Sequence, residues 1–288
     1  MSGRGTPRHT PTQARRRRVG RAVIGATLGL LLIAGIGYAG AHLLSGTRGG
    51  SDGAVSSTPS PLLPGAPTVT VAPREPAASV LGVGYDISYP QCGRTAPRPA
   101  AFGIVGVNGG APLTSNKCFA TQFAWARTLS ARAVYINTSW SGKGDPVAYG
   151  EKLVTDAIER EHAAGVSGVS MWWLDVELGN TWNGTQQENA TVLAAMAAKL
   201  QAAGVRVGIY SSPQQWAEIA GDWQPGLPVW NAIGPGTRAQ ALASCGEEFA
   251  GSTSGLVQWV AKKGTRVLDH NEICPAWKNR AGDLLDVS

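Results

Sequence analysis

Residues 1–48 contain no Asp, Glu or Lys, and residues 22–44 carry no charged side chain at all. The charge that is present in this first stretch is eight Arg, four of them consecutive at 15–18. About 20 apolar residues span a bilayer as a helix, so AVIGATLGLLLIAGIGYAGAHLL at 22–44 is expected to be a transmembrane signal-anchor. The basic tail at 1–21 would then stay cytoplasmic and everything beyond 45 would be exported. The alternative is a secreted chain, with Ala39-Gly40-Ala41 as a small-residue cleavage site; the paired arginines also leave a twin-arginine route open. Removing the eight Arg from the 25 basic residues leaves 17 against 19 acidic ones, a net of −2. Beyond the tail there is no basic surplus, so nucleic acid is not an expected partner.

Cysteine and histidine are scarce, four of each. No CxxC pair occurs, which argues against a zinc site, and no metal or organic cofactor is implied. Cys92, Cys118, Cys245 and Cys274 all lie on the expected exported side, where an even count argues for disulfides. Three pairings are open; the sequential one, Cys92–Cys118 and Cys245–Cys274, closes the shortest loops and is the expected one. The chain also lacks a GxGxxG turn and a P-loop, which weakens a doubly wound nucleotide-binding sheet. No repeat of 20 to 50 residues is evident.

Residues 45–79 are dominated by Pro, Ser, Gly, Thr and Ala and cannot bury a core, so they read as a disordered, semi-extended linker. It could hold a domain up to about 100 Å from a membrane. From 80 to 288 the pattern alternates. Strand-like apolar runs fall in the 81–87 region and at 102–107, 133–137, 169–177, 206–211, 228–232, 256–260 and 266–269. Helical patterns fall at 118–131, 146–165, 189–204 and 213–221, the second and third ending in Gly165 and Gly204. Roughly eight strands with helices between the first five or six is the signature of an α/β barrel.

The run VSMWWLDVEL, 169–178, ends in two carboxylates. Side chains two apart share a strand face, so Asp175 and Glu177 should point the same way. Charged groups are rarely buried unless paired or functional, and a glycosidic bond is cleaved by such a carboxylate pair. In a barrel of this kind functional groups sit at the strand ends. Reading those ends adds Asp86, Asn108, Asn137, Tyr210, Asn231, Gln258 and Asp269. All ten Trp lie beyond residue 120. Indole faces such as Trp230 suit sugar rings, although at least half of the ten are expected to be core.

GYDISYPQ (84–91), FGIVGVNGG (102–110), MWWLDVE (171–177), VGIYSSPQQW (207–216), PVWNA (228–232), LVQWV (256–260) and LDHNE (268–272) together resemble the ordered landmarks of the family 25 glycoside hydrolases, lysozymes of the N-acetylmuramidase type. The resemblance extends to related actinobacterial glycoside-hydrolase-like domains of unknown function. It covers about residues 80–280 and implies an irregular TIM-like barrel, five β/α units followed by strands with little helix. It implies Glu177 as general acid/base, Asp175 as the acid beside it, and Asp86 and Asp269 as further carboxylates of the site. Asn108, Asn137, Tyr210, Trp230, Asn231 and Gln258 are the expected sugar contacts, and the partner a polysaccharide, peptidoglycan or another wall glycan. The second carboxylate would assist the 2-acetamido group of the substrate, a substrate-assisted variant of the two-carboxylate scheme. Two departures fall on the rim: VGVNGG stands where the family carries a charged segment, and INTSW where its third strand ends in a Tyr-His-Phe type sequence. A glycan-binding module without catalysis is the alternative on the same barrel.

Overall fold

A computed structural model describes residues 80–287 of the chain. The expected basic tail at 1–21, membrane span at 22–44 and linker at 45–79 lie outside the described residues. No helix among the described residues is long and apolar enough to cross a membrane.

The strands are β1 (Gly84–Ile87), β2 (Phe102–Gly106), β3 (Ala131–Asn137), β4 (Met171–Asp175), β5 (Arg206–Ser211), β6 (Val229–Pro235), β7 (Glu248–Phe249), β8 (Ser252–Lys263), β9 (Arg266–Ile273) and β10 (Asp286–Val287). The helices are α1 (Phe119–Ala126), α2 (Pro146–Ala163), α3 (Gln186–Ala202), α4 (Pro213–Ala220) and α5 (Arg238–Ala243). β1 through β6 and then β8 pair in parallel, β9 pairs antiparallel with both β8 and β1, and the ring is closed. Eight strands therefore make the irregular α/β barrel expected from the alternation. β10 adds to the lower end of β3, pairing Asp286 with Arg132 and Val287 with Ala131.

Local chemistry explains where the helices begin. Asp145 caps α2 by accepting from the amides of Val147 and Ala148, with Pro146 at the first helical position. α3 starts at Gln186, three residues before the expected 189, because Thr185 and Glu188 form a reciprocal capping box. α1 is shorter than the expected 118–131, since β3 must begin at Ala131 to pair with Phe102. α5 was not expected; a second capping box, Thr237 with Gln240, nucleates it.

Alternation along the strands separates two apolar layers. Ile104, Ala133, Met171, Trp173, Trp230, Leu256 and Ile273 belong to the cluster inside the ring. Val105, Val134, Ile136, Trp172 and Leu174 belong to the outer cluster, which also holds Phe123 of α1, Leu153 of α2 and Leu193 and Met196 of α3. Each such large side chain stabilises the fold by roughly 1.5–3 kcal/mol on burial. The interior fits only because large residues face small ones: a Cβ on Gly208 would lie 2.3 Å from the Trp173 ring, and one on Gly106 2.6 Å from Tyr135. Both disulfides take the sequential pairing, Cys92–Cys118 and Cys245–Cys274.

Candidate active site

The interior is apolar below and polar above. At the C-terminal ends of the parallel strands a cleft of about 360 Å³ is lined by Asp86, Tyr135, Asp175, Glu177, Tyr210, Gln215, Trp230, Gln258 and Asp269, with Ala232, Gly234 and Val260 between them. Four carboxylates, each from a different stretch of sequence except for Asp175 and Glu177, thus meet in one open space.

Asp175 is the last residue of β4 and Glu177 lies just beyond it. The backbone stays extended between them, because the Val176 amide donates to the Tyr210 carbonyl at 2.9 Å and the Ser211 hydroxyl donates to the Val176 carbonyl at 2.7 Å. Val176 is fully buried on the outer face, so its two acidic neighbours face the cleft. The turn after Glu177 is held by the Trp182 indole N–H, which donates to the Glu177 carbonyl at 3.0 Å, and by Gln215, whose Oε1 accepts from the Leu178 amide at 2.7 Å. No ion pair among the described residues involves any of the four cleft carboxylates. Glu177 is only half-buried.

Asp175 is 5% exposed. Its Oδ2 accepts from Asn137 Nδ2 at 2.6 Å, while its Oδ1 has no hydrogen-bond partner. Asp86 Oδ1 accepts from two amides, Gln258 Nε2 at 2.9 Å and Asn271 Nδ2 at 2.7 Å. Those amides are themselves oriented: the Tyr210 hydroxyl donates to Gln258 Oε1 at 3.0 Å, and the Trp230 indole N–H donates to Asn271 Oδ1 at 2.9 Å. This chain fixes which face of each amide meets Asp86, so the acid sees donors only.

All four acids hold their protons more tightly than usual. Burial is the main cause for Asp86, with Asp269 adding repulsion and the two amides opposing it. Burial again leads for Asp175, followed by repulsion from Glu177 and Asp86. Glu177 is raised by burial and then by Asp269. Asp269 is raised by burial to about 6. Burial also keeps the Tyr135 and Tyr210 hydroxyls protonated well above the usual tyrosine range. Neutral donors and proton-holding acids in one cleft are the components of general acid/base work.

Three sequence expectations need correction. Asn231 does not reach the cleft: Trp230 faces inward, so its neighbour must face outward, and Asn231 Nδ2 bonds Glu247 Oε2 at 2.8 Å and Ser254 Oγ at 3.2 Å. Asn108 does not line it either; its Oδ1 accepts from the Asn137 amide at 3.0 Å and fastens the loop after β2 to β3. Asn137 acts behind the cleft, on Asp175. Asp269 reaches the rim for a reason other than the expected one. It lies in the first half of β9, which runs antiparallel and enters from the open end, and it sits directly opposite Asp86. Eight of the ten Trp are buried, and Trp230 is the one that lines the cleft.

Tyr135, Gln215 and Asn271 escaped a reading confined to strand ends. Their signals were present: Tyr135 is two residues before Asn137 on the same strand face, and Gln215 and Asn271 stand inside the segments VGIYSSPQQW and LDHNE. No group of His, Cys, Asp or Glu among the described residues is arranged to hold a metal ion.

Residues 100–249, about half of the chain, match the family model Lysozyme-like protein 1. Probable GH family 25 lysozyme 4 of Dictyostelium discoideum is 34% identical over 71 residues, covering 24% of this chain and 33% of that protein. Probable GH family 25 lysozyme 2 of the same organism is 38% identical over 64 residues, covering 22% and 30%. The matched stretch spans about a third of the length of these curated relatives. The fold is similar to that of GHIP, a glycosyl hydrolase 25 of Streptococcus pneumoniae, with a TM-score of 0.51 at 19% identity over 73% of this chain and 95% of that one. It is also similar to the spore cortex lytic enzyme SleM of Clostridium perfringens, with a TM-score of 0.53 at 16% identity over 72% and 70%.

Proposed function

This chain belongs to the Lysozyme-like protein 1 family and carries a GH25-like domain, and on that premise we propose that it is an exported, membrane-anchored glycoside hydrolase cleaving peptidoglycan or a related wall glycan. The observation that carries the reading is the convergence of Glu177, Asp175, Asp86 and Asp269 on one open cleft without an ion pair to neutralise them.

In this proposal Glu177 is the general acid/base. Its raised proton affinity lets it hold its proton to higher pH than an ordinary glutamate, so it can donate to the glycosidic oxygen as the bond breaks and later take a proton from the attacking water. Asp175 is the second carboxylate. Asn137 fixes its Oδ2 and leaves Oδ1 unpartnered, free to accept the N–H of a 2-acetamido group and stabilise positive charge developing at the ring. Asp86 and Asp269, paired across β1 and β9, shape the field around them. Tyr135 and Tyr210 remain neutral; Tyr135 can donate to a sugar hydroxyl, while Tyr210, whose proton goes to Gln258, can accept from one. The membrane anchor at 22–44, the linker at 45–79 and the exported domain at 80–288 belong to the same proposal.

The test is reducing-end release from purified peptidoglycan by the full chain. The native protein releases reducing ends and Glu177→Gln does not, a loss of roughly 10²–10⁴-fold. Glycan binding without release, unchanged by that substitution, would instead assign a binding module.

A further inference from the structure

The side-chain amides around the cleft give an N–H to its acids, with one exception. Gln258 and Asn271 donate to Asp86, and Asn137 donates to Asp175. Gln215 also lines the cleft. Its Oε1 accepts from the Leu178 amide at 2.7 Å, and among the described residues nothing accepts from its Nε2. Only the oxygen of an amide can meet a backbone N–H, so this contact fixes which end of Gln215 is which. The NH2 group is the end left for a ligand. Its placement is set by rigid parts. Gln215 is the third residue of α4, where Pro213 opens the helix and the Ser212 hydroxyl accepts from the Gln215 amide at 3.3 Å. α4 follows β5, the parallel neighbour of β4, which brings Gln215 beside the turn that carries Glu177. The Asn180 amide closes that turn on the Glu177 carbonyl at 3.0 Å, and a Cβ on Gly179 would lie 3.3 Å from Glu177 Oε1. The Glu177 carboxyl therefore lies over the turn that Gln215 holds.

We propose that Gln215 is a specificity-determining residue whose Nε2 donates to the acetamido carbonyl of the sugar on the leaving side of the scissile bond. This rests on the reading of Glu177 as general acid/base and adds a contact to the neighbouring sugar. Asp175, the deeper acid, takes the acetamido N–H of the sugar whose anomeric bond breaks. Glu177, nearer the mouth, meets the bridging oxygen. Gln215 is joined to the residue after Glu177, on the side away from Asp175, and so meets the sugar that departs. An acetamido carbonyl only accepts, and it requires a donor such as this amide; a hydroxyl can pair with an acid or a tyrosine instead. A site built to hydrogen-bond one substrate group discriminates against the analogue lacking it. Because the same side chain holds the Leu178 backbone, binding of this sugar also seats the turn beneath the Glu177 carboxyl.

The test is kcat/KM of the full chain on two wall-glycan trisaccharides, N-acetylglucosamine joined to N-acetylmuramic acid and capped at the reducing end by either N-acetylglucosamine or glucose. Release of the cap is followed by chromatography. The native chain should prefer the N-acetylglucosamine cap by about tenfold. Gln215→Glu keeps an oxygen for the Leu178 amide and removes the NH2 group; Gln215→Met removes both. In each variant the preference should fall to within about twofold of unity. A merely structural Gln215 would lower both substrates together and leave their ratio intact, and that result would overturn the proposal, as would a native ratio near one. Calorimetric titration of the same trisaccharides, run alongside, keeps the two readings apart. Cleavage with a ratio near one removes only this inference. Binding without cleavage, with an affinity ratio of about tenfold that Gln215→Glu abolishes, removes only the hydrolase and keeps the contact. Binding of neither trisaccharide overturns both.

Discussion

Asn137 shows how far a residue's role departs from its position. It was expected to touch sugar; it instead donates to Asp175 Oδ2 and lowers the proton affinity of that acid. Removing it should push Asp175 higher still. If Asp175 must be ionised for turnover, the acid limb of the pH–rate profile of Asn137→Ala should move to higher pH, with kcat reduced about tenfold and KM changed less. An unmoved acid limb would reduce Asn137 to a packing role. Asp269 gives a second prediction, on stability. Its ordinary value of 3.8 is raised to about 6. Between these pH values the folded chain keeps a proton that the unfolded chain has released, so stability falls as pH rises through this window and stays lower above it. Asp269→Asn removes the penalty. It should raise Tm by about 2–4 °C at pH 7.5, equivalent to roughly 1 kcal/mol after allowance for solvent, and by less at pH 4.5. A Tm gain that is the same at both pH values would contradict this.

At the level of the elements, period-two alternation made much of the cleft legible. Asp175 and Glu177 could be paired from sequence because the extended backbone persists past the end of β4, held by Tyr210 and Ser211. The same rule, applied to one strand end at a time, missed that Trp230 and Asn231 cannot both face inward. Strand direction was not legible: β9 reads as one more strand, and only its hairpin with β8 shows that Asp269 comes early in it rather than at its end. Interior packing is set by neighbours distant in sequence, which is why the need for Gly208 beside Trp173 could not be read from either segment alone. Gly208→Ala drives a Cβ into the Trp173 ring from a backbone that has no room to shift within a closed barrel. Overpacking of this kind costs about 1–3 kcal/mol, so the thermal midpoint should drop by roughly 2–12 °C. A neutral Gly208→Ala would mean the interior is looser than described.

For the whole molecule, two disulfides tie loops to the closed barrel. The bridges close loops with sequence separations of 26 and 29. In the chain-entropy account each stabilises by about 3–4 kcal/mol. Reduction should therefore lower Tm by about 10 °C or more, and a midpoint indifferent to reductant would argue against the pairings. The barrel was legible because strands and helices alternate over some 200 residues. β10 and the short β7 were not, since two-residue strands carry no periodicity. Barrel closure is what turns scattered strand-end acids into one cleft, and the central claim is that this cleft breaks a glycosidic bond through Glu177. The most direct measurement is the rate of reducing-end release from purified peptidoglycan by the native chain and by Glu177→Gln, with both proteins matched in Tm to establish equal folding. The account predicts measurable release by the native chain and a loss of at least a hundredfold in the variant; equal rates, or no release by the native chain from any wall glycan, would contradict it.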